Sequence, residues 1–314
     1  MEEDANTSKT IIVGPSVAFE SYWEINSENI PSHYSKIKAD NYQTEIGGSS
    51  ANLIAALINQ GYHPDLVQFV GPDMQGDFYS HILNDVPTRS GIRTTTIPCL
   101  KRTNASNIIR EKNGDKVSEH VYEFKGAIVT SIFMENRDVI KSAFKGFEWK
   151  IASGIRDSNE EKLFLKDNFG SDSNNILIPK IDLIQNEQFS SVVSMMDVIS
   201  MNETEFKSSK MHIKDYHELG VSLLIITNSD KGGRFSFLGN SEQYEAYDNH
   251  YSEIYETGAG DWFTASLCVS LLNQNIKKIR ETGFENVKQA VLYASRIAGI
   301  KVGIQGASNG PSHD

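Results

Sequence analysis

The run Glu256-Thr257-Gly258-Ala259-Gly260-Asp261 concentrates groups that can handle a phosphate. Two glycines flanking an alanine leave the backbone bare, so several N–H groups can converge on one anion. The apolar run Trp262–Leu272 that follows reads as a helix, whose N-terminal dipole adds to their field. Asp261 sets one carboxylate at the edge of this anion hole. Phosphoryl transfer depends on positioning and charge stabilisation, and a base beside a phosphate cradle provides for both. The same six residues also suit a glycine-rich turn with Asp261 capping the helix behind it.

Elements that could position such a site alternate along most of the chain. Thr10–Val13 reads as a buried strand ending at Gly14-Pro15, and Ser49–Gln60 as a helix stopped by Gly61. Asp65–Val70 is the next strand, and Gly76–Leu83 reads as a helix. From Trp149 onward, strands are expected at Trp149–Ala152, Asn175–Ile178, Asp197–Ser200 and Ser222–Thr227. A hairpin is expected at Phe235–Leu238 and Gln243–Ala246, then helices at Ala259–Asn273 and Phe284–Val302. Asp167–Asn175 reads as a surface loop. Such alternation implies a mostly parallel sheet covered on both faces, with ligands beyond the carboxyl ends of its strands. The section Thr94–Phe124 breaks the pattern: Thr94–Ile97, Ser106–Ile109 and Val117–Tyr122 follow one another without a helix, with a hairpin turn at Asn113-Gly114. Together with strand-like pieces in 16–46, the section 94–124 predicts a small antiparallel sheet outside the core.

With 314 residues, 39% of them hydrophobic, the chain suits a single domain over 1–314 with a full core. A net charge of −11 argues against nucleic acid or an anionic membrane as the main partner, though not against a small anion bound by local N–H groups. Two distant cysteines, Cys99 and Cys268, fit a reducing compartment and offer no disulfide framework or zinc knuckle. Met1-Glu2-Glu3-Asp4 lacks the basic-then-apolar order of a signal peptide, and no apolar run reaches membrane-spanning length. A cytoplasmic protein is expected.

Three further motifs accompany the catalytic run: Gly47-Gly48-Ser49-Ser50-Ala51-Asn52 opening the first long helix, Val70-Gly71-Pro72-Asp73-Met74-Gln75-Gly76 after the second core strand, and Asn202-Glu203-Thr204-Glu205 after the strand Asp197–Ser200. In this order and spacing the chain, from Ile11 to Ala307, resembles the ribokinase-like (PfkB) carbohydrate kinases. The resemblance implies an αβα three-layer core with a small β-sheet lid, and transfer of the ATP γ-phosphoryl group to an alcohol. It assigns Asp261 as general base and the N–H groups of Thr257, Gly258, Ala259 and Gly260 as the anion hole. Asn202 and Glu205 match an Asn-x-x-Glu motif that acts on Mg²⁺ through water, although the same residues suit a helix capping box. Gly47, Gly48 and Asn52 match the sugar-site motif. Thr227 and Gly232 match a nucleotide motif. Lid edges in the family often pair between subunits, so a homodimer through the lid is implied as possible.

The match departs from the family at the recognition positions. Where the family has an Asp that binds substrate hydroxyls stands Phe19, with Glu20 beside it. Either Glu20 substitutes, or Phe19 stacks on a nucleobase, or Phe19 is a core residue. Glu256 replaces the usual Asp before the glycine run, Ser229 the middle glycine of the nucleotide motif, and Ser295 the Asn or His near the adenine. The expectation is a sugar kinase acting on a primary hydroxyl, with a nucleoside kinase as rival. A catalytically silent metabolite-binding regulator is the third reading.

Overall fold

The structure, a computed structural model, describes residues 9–26, 41–78, 93–113, 116–248, 250–251, 254–306 and 309–311. Its thirteen named strands are β1 (Lys9–Pro15), β2 (Ala18–Asn26), β3 (Asn41–Gly47), β4 (Asp65–Phe69), β5 (Thr94–Ile97), β6 (Ala105–Asn113), β7 (Lys116–Phe124), β8 (Phe147–Ile155), β9 (Asn174–Pro179), β10 (Val198–Asn202), β11 (Leu223–Thr227), β12 (Gly233–Phe237) and β13 (Asn240–Tyr244). Nine form one sheet, ordered β13-β12-β11-β10-β9-β8-β1-β4-β5, parallel except for β12 and β13. Successive residues of β1 serve opposite layers. Ile11 and Val13 join the core shared with the helices α1 (Ser49–Asn59), α4 (Ala259–Asn273) and α5 (Phe284–Lys301). Ile12 instead packs with Phe144 and with Phe164 of α2 (Asn159–Asn168). Burial on both faces explains why these strands are continuous β-branched runs rather than alternating ones.

The remaining four strands form a second sheet, ordered β3-β2-β6-β7. β2 leaves the core two residues after β1 ends, and β3 returns through Gly47 and Gly48 into α1. This sheet therefore sits over the carboxyl ends of the core strands. Its second root is held by Asp73, which accepts from the Thr103 N–H (2.8 Å) and hydroxyl (2.6 Å) and from the Gly76 N–H (2.9 Å). The Thr103 hydroxyl in turn accepts from the Gly71 N–H at 2.9 Å. The Gly71–Gly76 motif thus ties lid to core.

Three readings of the sequence require correction. Thr94–Ile97 is not in the small sheet; it pairs in parallel with β4 and ends the large one. The small sheet is not wholly antiparallel, because β2 and β6 run parallel. The stretch 167–175 is a surface loop only at 170–172: it closes α2 and opens β9, and Asn168, Phe169, Ser173, Asn174 and Asn175 are buried. Their polarity misled, since the side chains serve buried backbone groups; Asn175 Nδ2, for one, donates to the Gly170 and Met195 carbonyls. The β6–β7 hairpin forms, but Asn113, expected in the turn, instead pairs with Lys116 at the strand end, and the other expected turn residue, Gly114, lies outside the described residues. Helix is described over 74–78, and the rest of the stretch expected to be helical as far as Leu83 lies outside the described residues.

Candidate active site

Two cavities meet at the turn that opens α4. The larger, of about 730 Å³, is lined by Asn202, Thr227, Gly232, Ala259, Gly260 and Ser295 among others. The smaller, of about 330 Å³, is lined by Glu20, Gly48, Asn52, Thr257, Gly258 and Asp261, with Lys180 at the end of β9. One five-residue turn thus presents Ala259 and Gly260 to one side and Thr257, Gly258 and Asp261 to the other. A group passing between the cavities must pass this turn.

The turn exists because of its glycines. Gly258 caps the helix at φ 85°, in the left-handed region that side chains disfavour. A Cβ on Gly260 would meet no atom within 4 Å, so this residue leaves open space on the wall of the larger cavity. Asp261 does not cap the helix. Its Oδ2 accepts from Asn52 Nδ2 at 2.9 Å, across 209 residues of sequence. Burial pushes its pKa from 3.8 up to about 6, with Glu20 adding to the rise, while Asn52, Lys180 and Ser49 oppose it. A carboxylate held near neutrality beside a cavity suits a general base.

In the smaller cavity Glu20 stands where the sequence offered two candidates. Its Oε2 accepts from the Tyr22 hydroxyl (2.8 Å) and its Oε1 from the Gly48 N–H (3.1 Å). Burial raises its pKa, against these two donors. Phe19, one residue earlier on the strand, points elsewhere and packs edge-on against Phe78, with ring centroids 5.7 Å apart. Gly47 lines neither cavity but makes room: a Cβ there would come within 1.9 Å of the Glu20 carboxyl carbon. Gly48, at φ 81°, would bring a Cβ within 2.6 Å of the Ala18 nitrogen.

Asn202 and Glu205 form the full capping box of α3 (Glu203–Ser208). The Asn202 N–H donates to Glu205 Oε2 (2.8 Å), and the Glu205 N–H to Asn202 Oδ1 (2.9 Å). The capping reading therefore holds. Asn202 also lines the larger cavity, with Glu203 and Thr204, while Glu205 is not among its lining residues. Burial raises the Glu205 pKa, with the Asn202 N–H and Lys180 opposing. Ser229 takes over the glycine position of the nucleotide motif by adopting φ 50° itself, and its hydroxyl donates to Glu256 at 3.1 Å. Gly232 is required at φ 75°, where a Cβ would come within 2.1 Å of the Tyr244 carbonyl oxygen.

Two charged groups near the turn escaped the sequence reading. Lys180 has its pKa lowered by burial and raised more by Glu123, Asp261 and Glu205, so it stays a cation on the wall of the smaller cavity. Its only advance signal was its place after the strand Asn175–Ile178. Glu119 of β7 accepts from the Thr257 hydroxyl at 2.5 Å. A two-residue turn at Asn113-Gly114 would set Arg110 opposite Val117; the structure sets it opposite Glu119, and the sequence does not say what Glu119 reaches.

Among the described residues no helix is long and apolar enough to cross a membrane. Solved structures of the same fold include the Methanocaldococcus jannaschii nucleoside kinase (TM-score 0.71, 18% identity, 97% of this chain and 95% of that one). Arabidopsis thaliana ribokinase complexed with ribose and ATP is another (TM-score 0.69, 18% identity, 96% and 95%). In sequence, 130 residues are 27% identical to the bifunctional ribokinase/ribose-5-phosphate isomerase A of Fructilactobacillus sanfranciscensis, covering 38% of this chain and 22% of that protein. The chain therefore matches about a fifth of that longer relative. Residues 18–314 match the model of the pfkB family carbohydrate kinases, and the chain belongs to that family.

Proposed function

We propose that the protein transfers the γ-phosphoryl group of ATP to a primary hydroxyl of a sugar or sugar-like compound, with the acceptor in the smaller cavity and the nucleotide in the larger. The observation that carries this reading is the shared turn, with Asp261 on the acceptor side and Gly260 on the nucleotide side. The acceptor hydroxyl gives its proton to Asp261 as its oxygen bonds to the γ-phosphorus, and the bond from that phosphorus to the bridging oxygen breaks. The N–H groups of Gly258, Ala259 and Gly260 oppose the charge on the moving group. Glu20 and Asn52 orient the acceptor, and the lid excludes water that would otherwise hydrolyse the nucleotide.

The larger cavity falls within the usual range of about 300–1,000 Å³ for small-molecule sites, and Gly232 and Gly260 let a ligand approach its backbone. Thr227 and Gly232 would contact the nucleotide. Asn202 and Glu205 would hold Mg²⁺ through its waters, since the capping box engages only one of the Glu205 oxygens and hard oxygens suit a hydrated ion. Bound there, Mg²⁺ would neutralise charge on the triphosphate. A cytoplasmic location fits this chemistry, and a dimer would pair lid edges such as β7, near exposed Tyr122.

An ATP-consumption screen over sugars, polyols and nucleosides tests the reading. Turnover with ribose-type sugars or polyols supports it, and turnover confined to adenosine or inosine replaces it by the nucleoside kinase. Phe19 packs on Phe78 rather than lining the cavity, which weighs against a stacked nucleobase at that position.

A further inference from the structure

A buried chain of contacts runs from the acceptor cavity, through the lid, to the catalytic turn. Glu20 Oε2 accepts from the Tyr22 hydroxyl at 2.8 Å. The Arg110 guanidinium, 1% exposed, lies 4.4 Å from the centre of the Tyr22 ring and 4.8 Å from that of Tyr255. Arg110 Nε donates to Glu119 Oε1 at 2.8 Å, directly across the β6–β7 hairpin. The other oxygen of Glu119 leaves the lid: it accepts from the Thr257 hydroxyl at 2.5 Å and, more weakly, from its N–H at 3.4 Å.

A guanidinium as buried as Arg110 needs a carboxylate beside it, and Glu119 fills that need with one oxygen. Nothing in that pairing requires the second oxygen to reach the turn. Gly258 and Gly260 carry no side chains that could fix the turn they form, and an anion hole works only when its donors are held before the charge arrives. The side chain of Thr257 is the nearest handle upstream of Gly258. Lys301 is buried in the same cluster: burial lowers its pKa to about 8, with Arg110 adding to the drop, while Glu119 and Glu45 support its charge.

We propose that Glu119 is a positioning residue for phosphoryl transfer: from the lid it holds Thr257, and so sets the N–H groups of Gly258 to Gly260, linking the acceptor-side carboxylate Glu20 to the phosphate cradle. This rests on the kinase reading above. Because losing Glu119 alone would strand Arg110, the test compares two double variants. In the first, the amide variant, Arg110→Met is combined with Glu119→Gln, which removes the buried charges but keeps an oxygen for Thr257. In the second, the thioether variant, Arg110→Met is combined with Glu119→Met, which removes both.

Amide hydrogen exchange of the segment 254–262, measured on the unliganded full chain, reads the tether without needing turnover. Exchange there should be about tenfold faster in the thioether variant than in the amide variant, at equal melting temperature. With ribose or inosine as acceptor, kcat should fall about ten- to hundredfold in the thioether variant and stay within a few-fold of wild type in the amide variant. Thr257→Val should raise the exchange rate of 254–262 as the thioether variant does, and Thr257→Ser should restore the slow exchange. Equal exchange in the two double variants overturns the proposal. If exchange separates them while wild type phosphorylates no acceptor, the tether stands and the kinase reading falls.

Discussion

Asn52 Nδ2 donates to Asp261 Oδ2 at 2.9 Å, joining the motif that opens α1 to the base that opens α4. An amide N–H on a carboxylate favours its charged form, while burial opposes it. The acidity of the base is therefore set partly by a residue of the acceptor site. Replacing Asn52 by Leu should move the acid limb of kcat/KM to higher pH, by about half a unit to one unit. An unmoved limb in the pH profile would separate Asn52 from the titration of the base.

Asp261→Asn keeps the shape of the site and removes the base. Turnover should fall by about a hundredfold or more, while ATP binding by calorimetry stays near wild type. Near-normal turnover would take Asp261 out of the mechanism.

The same variant should be more stable than wild type at pH 7. The folded pKa of Asp261, about 6, lies above its ordinary 3.8. The native state thus binds this proton more tightly than the unfolded state. Its contribution to stability is complete below pH 3.8 and is lost as pH rises through 6. Urea unfolding at pH 4 and pH 7 should show Asp261→Asn gaining on wild type as pH rises, by a difference of order 2 kcal/mol. A constant difference across that range contradicts the assignment.

Two glycine substitutions should separate the cavities. Gly260→Ala places a methyl in open space within a helix, so stability should hold or rise by up to about 1 kcal/mol while the KM for ATP increases. Gly47→Ala collides with Glu20 and should raise the KM for the acceptor and lower the melting temperature. Steady-state kinetics with each substrate varied in turn checks both, and a reversed pattern would exchange the two cavities.

Glu20→Gln and Phe19→Leu decide which residue reads the acceptor. The first should raise acceptor KM about tenfold, the scale of one charged hydrogen bond, and the second should leave it within about twofold. The opposite ranking would restore Phe19 as a substrate contact.

Much of the frame was legible because local rules govern it. The Ala259–Asn273 helix has the bounds read from its apolar run, and the Asn202–Glu205 capping box is closed by residues three apart. Thr94–Ile97 was misplaced because a short β-branched run carries no information about which sheet takes its hydrogen bonds. The stretch 167–175 was misread because buried asparagines look like loop residues until their backbone partners are known.

From the sequence alone came the bare-backbone glycines Gly258 and Gly260, whose demands are local, and the order of motifs around Asp261. Only the tertiary structure decided that Glu20 rather than Phe19 faces the cavity, that burial lifts Asp261 towards neutrality, and that Glu119 of the lid grips Thr257. Those outcomes depend on desolvation and, for Asp261 and Thr257, on partners more than a hundred residues away. A spacing pattern cannot encode either until the sheet brings the strand ends together.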